Sequence, residues 1–352
     1  MSHHLKNETM LVEITKDYWK VIQMEFENLK GIKTSNINDL TKFVRNKLIE
    51  NHLIAKQTSI LLQPHHNIIA QGRQLTHYII TCSSYQQKKF FLKVLKDNDA
   101  TPLCEKFISQ SNNNLGEINC PFIVVPQFNY LGTEYYITTF IDGDSVDSLI
   151  QAKNVDIDDL KHISYEVKKC IQNLSQITAP EFSLGCKFVG NDFRNIFESR
   201  LSKRLSHPIV ANYDSKLITT AQNNCKEIIG SSQFSVPSLL HMDIKPANIV
   251  YNPTTRTVTL IDYEQSRFGD IDYGWIQVLL SGYNIFGQEY NNHMYPYIIE
   301  DQITMGQAFT QPKFICYLFY QSLCNLIFYY DRKRVCPDAM KAIFEKALNN
   351  LQ

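Results

Sequence analysis

The stretch "LLHMDIKPANIVYNPTTRTVTLIDYE", residues 239–264, packs a histidine, an acid, a base and a carboxamide (His241, Asp243, Lys245 and Asn248) into eight consecutive positions. Two short runs of β-forming residues follow, Ile249–Tyr251 and Val258–Ile261, on either side of the turn-prone Asn252-Pro253-Thr254-Thr255. That pattern predicts a hairpin. Folding it brings Asn248, at the head of the first strand, to the same end of the ribbon as Asp262, at the tail of the second. A carboxamide and a carboxylate held side by side suit Mg2+, which takes a few protein oxygens and completes its shell with phosphate oxygens and water. Asp243, on the preceding loop, then lies close enough to reach a nucleophile opposite such a metal. The plainer alternative is that Asn248 and Asp262 end the hairpin by satisfying their own backbone, and that Asp243 caps a turn.

Working outward, the chain divides by pattern. Segments Lys16–Lys30 and Asn38–His52 carry apolar residues at three-to-four spacing, which predicts helices. From Ser59 to Val94 the runs "SILLQ", "NIIAQ", "HYIITC" and "KFFLKVL" read as an antiparallel meander. Thr101-Pro102 supplies a cap and a first-turn proline for a helix through Cys104, Phe107 and Ile108, and the strands "FIVVPQF" and "EYYITTFI" follow. Past "DGDS" the pattern turns helical, over Asp156–Ile177, Phe193–Leu205, Asp214–Ile229 and most of Phe268–Gln352. The expected architecture is therefore an α+β, bilobal one. A helical N-terminal extension (residues 1–58) packs on a small sheet lobe (59–140), and a larger helical lobe spans residues 141–352.

Bulk properties narrow the function classes. At 352 residues and 44% hydrophobic, the chain can bury a substantial core. Thirty-five basic and thirty-five acidic side chains cancel, so no global field draws nucleic acid or an anionic membrane. Nine scattered cysteines without a C-x-x-C pair argue against a disulfide framework and a zinc site, and so for a reducing, cytoplasmic setting. The first twenty residues lack a signal-like apolar core, and the most apolar stretch, Phe314–Tyr330, is interrupted by Gln321 and Asn325.

The motif H-x-D-x-K-P-x-N, followed by two apolar residues and an aspartate at hairpin spacing, resembles the catalytic loop and metal-binding aspartate of the protein-kinase-like superfamily. More narrowly, "LLHMDIKPANIVYN" with "TLIDYEQSRFGDIDYGW" resembles the H-G-D-x-x-x-x-N and I-D-W-E signatures of the aminoglycoside phosphotransferase and choline kinase group. Tyr263 stands where that group often has tryptophan, and Phe268-Gly269-Asp270 matches its Gly-Asp step. The resemblance covers most of residues 59–280.

It implies an ATP- and Mg2+-dependent transfer of a phosphoryl group to a hydroxyl of a small polar molecule. Asp243 would be the catalytic base, Lys245 would sit by the transferred group, and Asn248 and Asp262 would hold the metal. His241 would brace the loop. On the nucleotide side the resemblance implies Lys93, in the middle of the apolar strand "FFLKVL", as the phosphate-binding lysine, with Glu105 as its partner and Glu117 as the alternative. Gly72 is the single glycine of the phosphate-covering turn "IIAQGRQLTHYII", where protein kinases carry a series. Backbone groups of Thr139 and Ile141, at the lobe connector, would meet the purine.

Two departures favour a small-molecule kinase over a Ser/Thr protein kinase. "DYE" replaces D-F-G, and only a few residues separate Asp262 from "FGD", which leaves little room for an activation segment. Lys245 points the other way, since H-x-D-x-K is commoner in protein kinases. The tripeptide Ala179-Pro180-Glu181 lies upstream of the catalytic loop, where the protein-kinase motif it matches cannot serve, and reads as an inter-helix turn. A cationic, aminoglycoside-like antibiotic leads as acceptor, which would make the protein a resistance factor; Asp270, Asp272, Glu289, Glu300 and Asp301 are acids that could neutralise it. Choline, ethanolamine, another amino alcohol or a sugar is the alternative.

Overall fold

A five-stranded antiparallel sheet runs in the order Ile60–Ala70, Arg73–Cys82, Lys89–Val94, Thr133–Thr139, Ile123–Tyr130. The structure, a computed structural model, describes residues 12–13, 37–70, 73–83, 88–95, 100, 104, 108, 123–184, 187–281, 293–299 and 304–352. Alternation along Lys89–Val94 sends Phe90, Leu92 and Val94 to the buried face. Helix Ile37–Glu50 lays Leu40, Val44 and Leu48, one turn apart, on that face, and together they close a small apolar core. Each aliphatic side chain so buried contributes about 1.5–3 kcal/mol.

Sequence patterning breaks the first strand at Pro64, yet Ile60–Ala70 runs through it with a register shift between Pro64 and His66. Pro126 likewise lies in a strand with register irregularities. Both strands are at the sheet's edges, where a missing N–H removes no shared ladder bond.

The larger lobe is built from helices Val146–Ala152, Ile157–Ser175, Phe193–Leu205, Ser215–Ser231, Ile271–Ser281, Pro312–Asp331 and Asp338–Asn350 around a second, larger core. Asp156, Asp192 and Asp214 accept first-turn N–H groups at three of the helix starts, which places those starts where the sequence pattern put them. No helix of the described residues is long and apolar enough to cross a membrane. Strand Ser238–Leu240 pairs with Arg267–Gly269 and with Ile177–Thr178. Val12–Glu13 pairs in parallel with Ile177–Thr178, so the segment 1–58 meets the larger lobe there as well as the smaller lobe through Ile37–Glu50. Ala179-Pro180-Glu181 joins two strands rather than two helices, and the Ala179 N–H donates to the Pro237 carbonyl at 2.9 Å. The segment Lys16–Lys30 lies outside the described residues. Of the helix expected from Thr101, Cys104 and Ile108 are described, both helical and buried.

The hairpin is Ile249–Asn252 against Thr257–Leu260, with Ile249 opposite Leu260. Its outer edge takes up Asp144–Ser145 from the lobe connector. There Gly143, at φ +132°, passes so close that a Cβ would lie 2.5 Å from the Tyr251 carbonyl oxygen; a side chain is excluded by backbone and not by movable atoms. Tyr251 in turn donates to Asp159 Oδ1 at 2.7 Å, anchoring the hairpin to helix Ile157–Ser175.

Candidate active site

Asn248 ends a short turn, and its carbonyl accepts from the Ile261 N–H at 2.9 Å. The pairing thus extends past Ile249 and Leu260 and sets Asp262 one residue beyond Asn248's partner. The Asn248 side chain is buried, and its Nδ2 donates twice, to the Asp243 carbonyl at 3.0 Å and to Asp243 Oδ2 at 2.9 Å. With both amide hydrogens so committed, Oδ1 is the atom left to bind a cation. Lys245 Nζ also reaches Asp243 Oδ2, at 2.6 Å. Two donors converge on Oδ2 and leave Asp243 Oδ1 as the oxygen open to a proton.

His241 ties this loop to the hairpin's far strand. The Asp243 N–H donates to Nδ1 at 3.3 Å, and Nε2 lies 3.0 Å from the Ile261 carbonyl, so Nε2 carries the hydrogen. The ring packs against Tyr263, centroids 4.5 Å apart, and the His241 carbonyl accepts from Ser266 Oγ at 3.2 Å. One side chain therefore fixes both the backbone at Asp243 and the strand end before Asp262. Met242 (φ 63°) and Asp262 (φ 67°) flank it in the left-handed region, where an aspartate is tolerated and a methionine is uncommon.

Burial pushes the His241 pKa below its ordinary 6.5, against the smaller opposing pull of Asp243 and Asp262. A folded-state pKa below the unfolded one means that the unfolded chain takes up the proton first as pH falls. Stability from this group is whole above about pH 6.5 and declines below it. His241→Gln, which keeps a donor and an acceptor, is expected to show a smaller drop in melting temperature between pH 7 and pH 5 than the wild type. Parallel drops in the two proteins would remove His241 as the cause.

On the smaller lobe, Lys93 lies opposite Tyr136, its Nζ 5.7 Å from that ring's centroid. Thr139 ends its strand opposite Phe90, and Ile141 follows in the connector, half-buried. Gly72, Glu105 and Glu117 lie outside the described residues.

The acids expected to face an acceptor are otherwise engaged or undescribed. Asp270 is fully buried: its Oδ2 takes Tyr317 Oη at 2.6 Å and Lys313 Nζ at 2.9 Å, and its Oδ1 takes Ser235 Oγ at 2.8 Å. Its carbonyl accepts from the Tyr273 and Gly274 N–H groups, starting helix Ile271–Ser281. Lys313 bonds Asp272 as well, at 2.6 Å. Burial alone would lower the Lys313 pKa, but Asp272 and Asp270 outweigh it and hold the ammonium above its ordinary range. Glu289, Glu300 and Asp301 lie outside the described residues. The Asp270 cluster joins positions far apart in sequence, and no local motif signals it.

No protein-family model and no curated protein matches the sequence. Solved structures do match in fold. The aminoglycoside phosphotransferase APH(4)-Ia superposes with a TM-score of 0.60 at 12% identity, over 90% of this chain and 98% of that one. A thermostable mutant of that protein, in ternary complex with AMP-PNP and hygromycin B, gives 0.58 at 13%, over 86% and 98%. The GDP and kanamycin complex of APH(2'')-IIIa gives 0.53 at 13%, over 88% and 98%. The α+β bilobal arrangement read from the sequence is therefore the fold of aminoglycoside phosphotransferases.

Proposed function

We propose that this chain, which carries the kinase-like fold of the aminoglycoside phosphotransferases, is an ATP- and Mg2+-dependent phosphotransferase acting on a hydroxyl of a small polar molecule. The observation that carries the reading is the convergence of Lys245 Nζ and Asn248 Nδ2 on a single oxygen of Asp243, one strand pairing away from Asp262. The nucleotides in the matched structures support a nucleotide here.

Asp243 Oδ1 takes the acceptor's hydroxyl proton, while Oδ2 is pinned so that the carboxylate cannot rotate away. Lys245 brings positive charge beside the transferred phosphoryl, whose oxygens carry the spread charge of the transition state. Asn248 Oδ1 and the Asp262 carboxylate are the two protein oxygens for Mg2+, a small set that suits an ion sharing its shell with triphosphate and water. Bound with ATP, Mg2+ would neutralise the phosphate charge. Lys93 would grip the phosphates from the facing lobe, with Glu105 as its partner and Gly72 in the covering turn. The connector at Thr139 and Ile141 would take the base.

An aminoglycoside acceptor, conferring resistance in a cytoplasmic setting, draws its support from the hygromycin B and kanamycin complexes of the matched proteins. Among endogenous acceptors, an uncharged sugar is favoured over a cationic amino alcohol by one observation: Lys313 already neutralises Asp270 and Asp272. A coupled assay of ATP consumption over a panel of antibiotics and hydroxylated metabolites, with and without EDTA, tests the reading. It predicts Mg2+-dependent turnover on one acceptor class, and turnover that persists undiminished in EDTA would refute it.

A further inference from the structure

Arg267 follows Asp262 by five positions and pairs across the strand with Leu240, just ahead of His241. Its side chain enters a concavity walled by Phe197, Phe268, Tyr273, Tyr320 and a second guanidinium, Arg200. The concavity is open at its mouth, and its cavity volume is about 20 Å³. That is room for about one water-sized group, such as an oxygen of an anion whose remainder lies at the open mouth. Arg204, one turn along the same helix, lies beside Tyr320 and Cys324 and is not among the residues that line the concavity.

Charge in this pocket is unbalanced. Among the described residues no carboxylate pairs with Arg200, Arg204 or Arg267, and Arg267 Nε is buried without a hydrogen-bond acceptor. The groups around Arg267 are Tyr273, Tyr320, Cys324 and the like-charged Arg200. Arg200 lies over the Tyr320 ring at 5.9 Å. Arginine stays charged at all working pH values, so the pair cannot relieve its repulsion by losing a proton. A buried donor with no acceptor and two adjacent cations with no anion are both completed by the same thing, an oxyanion, which two guanidinium forks can grip in bidentate fashion.

We propose that Arg200 and Arg267 form a binding site for a carboxylate or phosphate group. Two sources share that chemistry: an anionic substituent on the phosphoryl acceptor, or a separate small anion. Position favours the acceptor. Leu240 pairs directly with Arg267 and precedes Asp243 by three residues, so the two Cα atoms are at most roughly 17 Å apart. Assignment to the acceptor rests on the phosphotransferase reading; the anion site does not.

The full-length protein is titrated with inorganic phosphate and with lactate against sodium chloride at matched ionic strength, and its melting temperature is followed. A saturable rise is expected. Arg267→Gln and Arg200→Gln weaken the apparent affinity at least tenfold, and Asp262→Asn, which alters the nucleotide cleft, keeps the response. In chloride, Arg267→Gln melts no lower than the wild type, because one of two repelling charges is gone. A wild type that melts alike in phosphate and chloride overturns the proposal. So does an Arg267→Gln variant that keeps the anion response; Arg200→Gln serves if Arg267→Gln does not fold. In the ATP-consumption assay, hydroxy acids or sugar phosphates are compared with uncharged sugars and amino sugars. Preference for anionic acceptors, with KM raised at least tenfold and kcat retained in Arg267→Gln, identifies the acceptor as the source. Anion binding without that preference identifies a separate ligand. Anion binding with no ATP consumption on any acceptor defeats the phosphotransferase reading and leaves the site intact. Turnover on amino sugars, with no anion response, does the reverse.

Discussion

Asp243→Asn is expected to lower kcat by about 10²–10⁴ on whichever acceptor supports turnover, the range that a positioned general base contributes. Geometry makes the test clean. Oδ2 of Asp243 accepts from Lys245 and Asn248, so an asparagine can keep both bonds by presenting its own Oδ1 to them. Its NH2 then occupies the position of the oxygen that takes the proton. The loop is retained and the base is removed. Nucleotide affinity, measured by melting-temperature shift, is expected to stay near the wild-type value. A variant with full turnover would show that this carboxylate does not accept the proton.

The second large effect concerns stability. Lys313→Met leaves Asp270, which has no exposed surface, without its cationic partner. Removing one member of a buried ion pair costs about 3–5 kcal/mol, because the surviving charge is left uncompensated. Tyr317 and Ser235 still donate to Asp270, so the lower end, about 3 kcal/mol, is expected in urea unfolding. Adding Asp270→Asn to Lys313→Met is expected to recover most of that loss, since no buried charge then remains. A loss below about 1 kcal/mol for Lys313→Met alone would mean that the hydroxyls suffice.

What could be read from the sequence was what depends on neighbours along the chain. The helix Phe193–Leu205 forms within its expected bounds, capped by Asp192, and the hairpin was delimited by its turn residues. That hairpin made the meeting of Asn248 and Asp262 legible, because ribbon geometry leaves few places for its ends. Pro64 misled the strand assignment, since a proline's effect depends on whether its strand is at an edge, which local sequence does not state. Asp270, expected among the acids that face an acceptor, starts a helix through its carbonyl. Its side chain instead meets Lys313 and Tyr317, which lie on a helix more than forty residues away. Arg200 and Arg267 carried no motif, and only packing reveals that no acid answers them.

On the proposed reading, Asn248 and Asp262 jointly bind the metal that seats the nucleotide. The most direct test of that reading is the melting temperature of the wild type and of Asp262→Asn with AMP-PNP, in Mg2+ and in EDTA. Wild type with Mg2+ should gain about 2.7 kcal/mol at a hundredfold the Kd, and most of that gain should vanish both in EDTA and in the variant. Equal stabilisation of the variant and the wild type by Mg2+ and AMP-PNP would contradict it.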